Sequence, residues 1–403
     1  MTKQSAMDPE IPTFSMKPSP HSEPSRPSFP WKWPALALLM LVLVGIGLNH
    51  RHTPQEESAP VTEEVPPPVL TTPPEEIAIA LPPPLPPWPL FSHPSPQRNW
   101  DALEDPKVYQ PTGSGRVASA GYGSVRTNSS GRATFHEGVD IAPTERDSRG
   151  RPLDQIFAAS DGEIVYINRH AGNSSYGIYI IIRHQDDIGK VFTLYAHLAS
   201  VPAEIKVGQS VKMGDPIAIM GHSSTLGIPV QRSHLHFEMG MMLNPSFDKW
   251  YKKKKMTPNH GKYHGFNFVG FDPRYMLTSL AGQKQIPFSY KETLLNKAPA
   301  WHLLVKSHNR PQYFNMYPDL WQGAPYAGKV MLLSLSESGI PLSGRNATDE
   351  EIAQLGNNKT KVLSVDSDVL GRNGLRHVTK SGGKWVLGSN GNRWLEILMY
   401  DAR

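Results

Sequence analysis

Two histidines one residue apart, His234 and His236, stand in RSHLHFEMG (232–240), an apolar run that reads as a β-strand. A strand alternates its side chains, so His234, His236 and Glu238 share one face and Leu235, Phe237 and Met239 the other. The apolar face explains itself as core. Paired imidazoles on the opposite face suit a metal ion, because neutral imidazole is the commonest protein ligand for zinc. The chain has 16 histidines, however, and an accidental pair is the plain alternative; His50-Arg51-His52, beside a hydrophobic segment, looks like ordinary flanking polarity. A second cluster lies in FHEGVDIAP (135–143), with His136 and Asp140 four apart. In an extended segment His136, Gly138 and Asp140 line up on one face, and glycine between them leaves room for an ion. The competing reading is a turn with a hydrogen-bonded aspartate. It is not the helical His-Glu-x-x-His motif, since position 140 is Asp and Gly-Val breaks the helix. His197 ends the apolar strand LYAHL (194–198), where a lone histidine also serves as a hydrogen-bonded rim residue.

The elements that must position these groups follow from pattern. EIVYI (163–167), IYIII (178–182) and VFTLYAHL (191–198) are strand-like runs, with QDDIGK (185–190) a hairpin loop between the last two. QSVKMGDPIAIMG (209–221) continues the pattern through a Gly-Asp-Pro turn. An antiparallel β domain is expected at 100–290, with its core at 110–245. Residues 246–298 read as irregular and include the lysine run 252–255. From Trp301, HLLVKS, KVMLLSLS, TKVLSV and KWVLGSNGNRWLEILMY point to a second, C-terminal β-rich domain at 300–403. Its tryptophans (Trp301, Trp321, Trp385, Trp394) suit a packed core, or stacking on glycan strands.

The 403 residues suffice for two or three domains and include no cysteine, which excludes disulfides and thiolate zinc sites. Net charge is +5, which fits anionic partners, but no nucleic-acid-binding signature is present. Residues 1–33 read as a disordered tail. Pro34–Leu48 is an uncharged apolar run preceded by Trp31 and Trp33 and bracketed by Lys32 and Arg51, so 34–50 is expected to be a single transmembrane anchor. Against a cleaved signal peptide stand the long polar leader and the lack of an A-x-A site. Residues 51–99 read as a proline-rich linker, with 15 prolines between Pro54 and Pro96. At about 3.1 Å per residue such a spacer reaches on the order of 140 Å.

FHEGVDIAP, LYAHL and SHLHFE, in that order within 110–245 and accompanied by DGEIVYI and VGQSVKMGDPIAIMG, resemble the lysostaphin-type (LytM-domain) zinc metallopeptidases, which cleave the peptide part of bacterial peptidoglycan. The resemblance implies one zinc ion held by His136, Asp140 and His236, with His197 and His234 as the catalytic histidines. Three protein ligands leave a fourth position for water. Glu238 could orient a ligand or make a cross-strand surface pair, and His184 and His222 read as ordinary loop residues. The chain departs from the family pattern in a longer segment at 144–157 and a longer tail at 244–277, both expected to reshape the cleft. The expected function is a membrane-anchored zinc endopeptidase acting on peptidoglycan cross-links or stem peptides. The domain would lie in the periplasm or cell wall, outside the inner (cytoplasmic) membrane. A protein partner that switches it on, and a plug from residues 100–135, remain open. The alternative is a non-catalytic wall-binding regulator that activates other hydrolases; it would not need all five positions filled.

Overall fold

The computed structural model describes residues 89–127, 133–256 and 260–401. The tail, the apolar run Pro34–Leu48 and most of the linker lie outside them. Among the described residues no helix is long and apolar enough to cross a membrane.

The strands in chain order are β1 (Leu90–Ser92), β2 (Val125–Thr127), β3 (Ala133–Phe135), β4 (Val139–Ile141), β5 (Gln155–Phe157), β6 (Gly162–Asn168), β7 (Ile178–Asp186), β8 (Gly189–Ser200), β9 (Ser210–Val211), β10 (Pro216–Met220), β11 (Leu235–Met242), β12 (Phe268–Phe271) and β13 (Gln285–Pro287). The main sheet runs β12–β11–β8–β7–β6–β9, with β4 on β11 and β10 joining β8 to β5; every pairing is antiparallel. Two-residue periodicity builds it. Ile180, Ile182, Tyr195, Phe237 and Met239 face the main core, while Tyr179, Ile181, Phe192 and Leu194 face a smaller cluster. Each fully buried aromatic or branched side chain contributes about 1.5–3 kcal/mol. β11 is central. Its residues 235–237 pair with β4, 239–242 with β12, and 236–240 with β8. The three motifs therefore meet because their strands are neighbours.

Four expectations change. The linker ends earlier than 99: Phe91 is wholly buried in β1, which pairs with β13, and Pro89 and Pro94 flank the strand without interrupting it. Residues 246–298 are not irregular, for they supply β12, β13 and helices α1 (Phe247–Lys253), α2 (Arg274–Ser279) and α3 (Tyr290–Leu295). Downstream come β14 (Trp301–Lys306), α4 (Tyr313–Met316), β15 (Val330–Leu335), β16 (Pro341–Asn346), α5 (Asp349–Leu355), β17 (Thr360–Val365), α6 (Ser367–Leu370), β18 (Val378–Ser381), β19 (Lys384–Leu387) and α7 (Ser389–Leu398). The first four of these strands make one sheet in the order β16–β15–β14–β17, but the last apolar run is a strand followed by a helix. Gly391, Trp394 and Leu398 are buried at helical spacing, and Gly391 is forced: a Cβ there would lie 2.0 Å from the His377 carbonyl oxygen. Finally, the C-terminal segment is not a body apart. The described residues from 89 onward form one compact unit with a continuous core from Tyr195 and Phe237 to Leu333 and Trp394. Asn244 donates to the carbonyls of Ile397 and Tyr400, and Tyr317 donates its hydroxyl to the Lys190 carbonyl.

Candidate metal centre

Asp140 on β4 stands directly opposite His236 on β11, and Ala196, the neighbour of His197, stands opposite His236 on the other side. His136 approaches from the turn between β3 and β4. His136 Nε2 lies 2.9 Å from Asp140 Oδ1 and 3.0 Å from His236 Nδ1, which is itself 3.0 Å from Asp140 Oδ1. These three atoms form a buried His-Asp-His group able to hold a metal ion. His234 Nε2 lies 3.4 Å from the same carboxylate oxygen, and the His197 ring is 4.8 Å from the His234 ring and 5.7 Å from the His236 ring, centre to centre. All five predicted residues are brought together, none more than 8 % exposed.

The outer nitrogens decide which atoms face inward. Assigned from their partners, the Nδ1–H groups of His136, His197 and His234 donate to the carbonyls of Gly121, Ser223 and Arg232, at 2.9, 2.9 and 2.7 Å. Each therefore presents Nε2. His236 is reversed: its Nε2–H donates to Glu238 Oε1 at 2.8 Å and its Nδ1 faces the centre. Two imidazole nitrogens and a carboxylate oxygen thus converge within about 3 Å; once His236 Nδ1 has released its proton they are three acceptors with no donor between them, an arrangement that a cation satisfies. The donor chemistry fits a metal.

Charge agrees with geometry. Burial disfavours ionisation of Asp140, but His136, His234 and Arg126 outweigh it and hold the carboxyl well below its usual range. Burial keeps His136 neutral, its pKa lowered to about 4, and likewise lowers those of His197 and His234. At His236 burial is outweighed by hydrogen bonds to Asp140 and Glu238, which raise its pKa. The negative field that draws a proton there also draws a metal cation, so the two compete.

His197 has φ of +60°, uncommon for a residue other than glycine. β7 residues 178 and 180 pair with β8 residues 198 and 195, so β8 carries one extra residue, and this bulge aims the His197 ring at the centre. Gly138 works differently from the sequence reading. A Cβ there would sit 2.4 Å from the Phe237 carbonyl oxygen, so the glycine makes room for the β11 backbone rather than for an ion. Glu238 is buried and orients His236, while Tyr176 donates to the same Oε1 at 2.7 Å. His222 is a loop residue, its ring bound to the Ile228 carbonyl, but His184 is buried within β7 between the Asp161 carbonyl and the Thr193 hydroxyl.

Two contributors escaped the sequence reading. Arg126 places Nη2 2.6 Å from Asp140 Oδ2, and Tyr176 fixes Glu238. Neither belongs to a motif, and each meets its partner only through the fold.

Residues 134–246 match the model of peptidase family M23. An uncharacterized metalloprotease of Haemophilus influenzae is 33% identical over 134 residues, which are 32% of this chain and 24% of the relative. A lipoprotein NlpD/LppB homolog of Pseudomonas aeruginosa is 33% identical over 106 residues, 26% of this chain and 29% of the relative. The chain thus spans about a quarter of the length of these curated relatives. Among solved structures, the catalytic domain of lysostaphin from Staphylococcus simulans is 27% identical, covering 30% of this chain and 75% of that one at a TM-score of 0.22.

Proposed function

We propose that this protein is a zinc-dependent endopeptidase that hydrolyses peptide bonds of bacterial peptidoglycan, held at the cytoplasmic membrane by residues 34–50 and acting in the periplasm or cell wall. The observation that carries the reading is the convergence of His136 Nε2, Asp140 Oδ1 and His236 Nδ1, flanked by two further imidazoles whose Nε2 atoms point the same way. These three atoms would hold the ion. When bound, zinc supplies Lewis acidity, lowering the pKa of water and polarising the scissile carbonyl.

The remaining steps belong to the chain. His234 and His197 are neutral, and with Nδ1–H fixed on carbonyls each offers Nε2 as a proton acceptor. His234, nearest Asp140, takes a proton from the attacking water as the carbon–oxygen bond forms. His197, on the neighbouring strand, hydrogen-bonds the tetrahedral intermediate. The proton is then returned to the leaving nitrogen as the carbon–nitrogen bond breaks. Arg126 and Glu238 keep Asp140 and His236 in place without touching substrate. A membrane anchor with a long proline-rich spacer matches a polymer substrate outside that membrane, the support being the sequence of 34–88.

The test is digestion of purified sacculi by the detergent-solubilised full chain, with products separated by mass, with and without a zinc chelator. New peptide termini that vanish with the chelator support the reading. Unchanged sacculi with metal-loaded protein overturn it in favour of the wall-binding regulator.

A further inference from the structure

His197 holds a backbone conformation that a regular strand would not give it. Its φ of +60° lies in the left-handed region, at the bulge where β8 residues 195 and 198 pair with β7 residues 180 and 178. Such a conformation persists only where its surroundings over-determine it. Ser223, in the loop after β10, does so. Its hydroxyl accepts the Ile178 N–H at 2.9 Å and donates to the Leu198 carbonyl at 2.6 Å. Ile178 and Leu198 are strand partners at one edge of the bulge, so a single hydroxyl links β7 to β8 beside His197. The carbonyl of the same serine accepts His197 Nδ1–H at 2.9 Å. Backbone and ring are thus tied to one residue.

The loop that carries Ser223 is itself fixed against the loop before β7. Gly177, with φ of +63°, lets the chains approach: a Cβ there would lie 2.1 Å from the Ser223 carbonyl oxygen. Further along, the Thr225 N–H donates to the Ser174 carbonyl at 3.1 Å and the Ser224 hydroxyl to the Ser175 carbonyl at 2.7 Å. His197 N–H donates to the Tyr176 carbonyl of that loop at 2.9 Å. The metal ligands are held by other groups, His136 by the Gly121 carbonyl, Asp140 by Arg126 and His236 by Glu238. We infer that Ser223 is a positioning residue for His197 and not for the metal. Its hydroxyl fixes the bulge, and its carbonyl fixes the tautomer, because the hydrogen bond made by one ring nitrogen decides what the other presents. Nε2 is thereby kept as an acceptor turned toward the centre.

What this does for catalysis rests on the peptidase reading. In that reaction Ser223 holds His197 ready for the tetrahedral intermediate before substrate arrives, and its loss loosens one histidine while the donor set stays whole.

The test uses the zinc-loaded full chain in detergent with ¹⁵N-labelled histidines. There are 16, and His197→Gln identifies the signals of interest. In the wild type the His197 ring is expected as a single tautomer protonated at Nδ1. Ser223→Ala should keep its zinc, show His197 as a mixture of tautomers, and turn over dye-labelled sacculi about tenfold more slowly or worse, with KM little changed. Ser223→Thr keeps the hydroxyl and should restore both the tautomer and the rate. Ser223→Cys fills the same space with a weaker donor, should fall between, and carries the test if the alanine variant does not fold. Mixed tautomers in the wild type, or an unchanged His197 signal or rate in the variants, overturns the inference. Loss of zinc in both the alanine and cysteine variants overturns it too, since Ser223 would then support the sheet as a whole. The ring signals need no turnover. Wild-type protein that leaves sacculi intact counts against the peptidase reading, while those signals still decide the role of Ser223.

Discussion

Glu238 Oε1 accepts the Nε2–H of His236 at 2.8 Å, two residues along the same strand and on the same face. This bond makes His236 the one imidazole of the four to present Nδ1, so a carboxylate outside the donor set fixes which atom the set contains. Glu238→Ala is expected to weaken metal affinity by about 10–100-fold, measured by competition with a chromogenic chelator. Glu238→Gln keeps an acceptor oxygen and should lose much less. Equal affinities for all three proteins would remove the orienting role.

Arg126 holds the other oxygen of Asp140 at 2.6 Å. Arg126→Ala should lower turnover by about tenfold while KM changes little, because the residue positions a ligand and does not meet substrate. Added guanidinium should restore part of the loss. A rise in KM alone would place Arg126 in substrate binding instead.

These two residues show where the sequence stopped being readable. His234, His236 and Glu238 declare their shared face through the two-residue period, and His136 with Asp140 declares itself by spacing and glycine. Arg126 lies 14 residues from Asp140 and Tyr176 lies 62 from Glu238, distances that only strand pairing closes. The positive φ of His197 comes from a bulge in β8, and a bulge leaves no mark in an apolar run. Phe91 is hidden for the opposite reason: its proline-rich surroundings imitate a spacer, yet its ring is core. Helix α7 is hidden in the sequence because its first turn, Ser389–Asn392, is rich in Asn and Gly, which read as a turn between two strands, and only the burial of Gly391, Trp394 and Leu398 reveals the helical period.

Gly138→Ala tests the close approach of β4 to β11. With a Cβ 2.4 Å from the Phe237 carbonyl the strands must separate, and a loss of about 1–3 kcal/mol is expected in urea unfolding, together with weaker metal binding. Unchanged stability would mean that the strands part without cost.

Acid should loosen the fold through histidines away from the metal. Burial lowers His184 and His377 to about 4, against about 6.5 for an unburied imidazole. Below pH 6.5 the unfolded chain takes up these protons first, so stability falls with pH and levels off near 4. Each group contributes on the order of 3 kcal/mol to that fall. Urea midpoints measured between about pH 7 and 4.5 should decline, and less steeply in His184→Gln. An identical slope in the variant would contradict the assignment to His184.

The division of labour among the five central residues is tested most directly by metal content measured beside turnover. The wild type, His234→Ala and His197→Ala should each retain about one zinc per chain, whereas His136→Ala, Asp140→Ala and His236→Ala should lose it. All five variants should fail to release peptides from sacculi that the wild type digests. Zinc retained without His236, or lost without His234, would contradict the proposed centre.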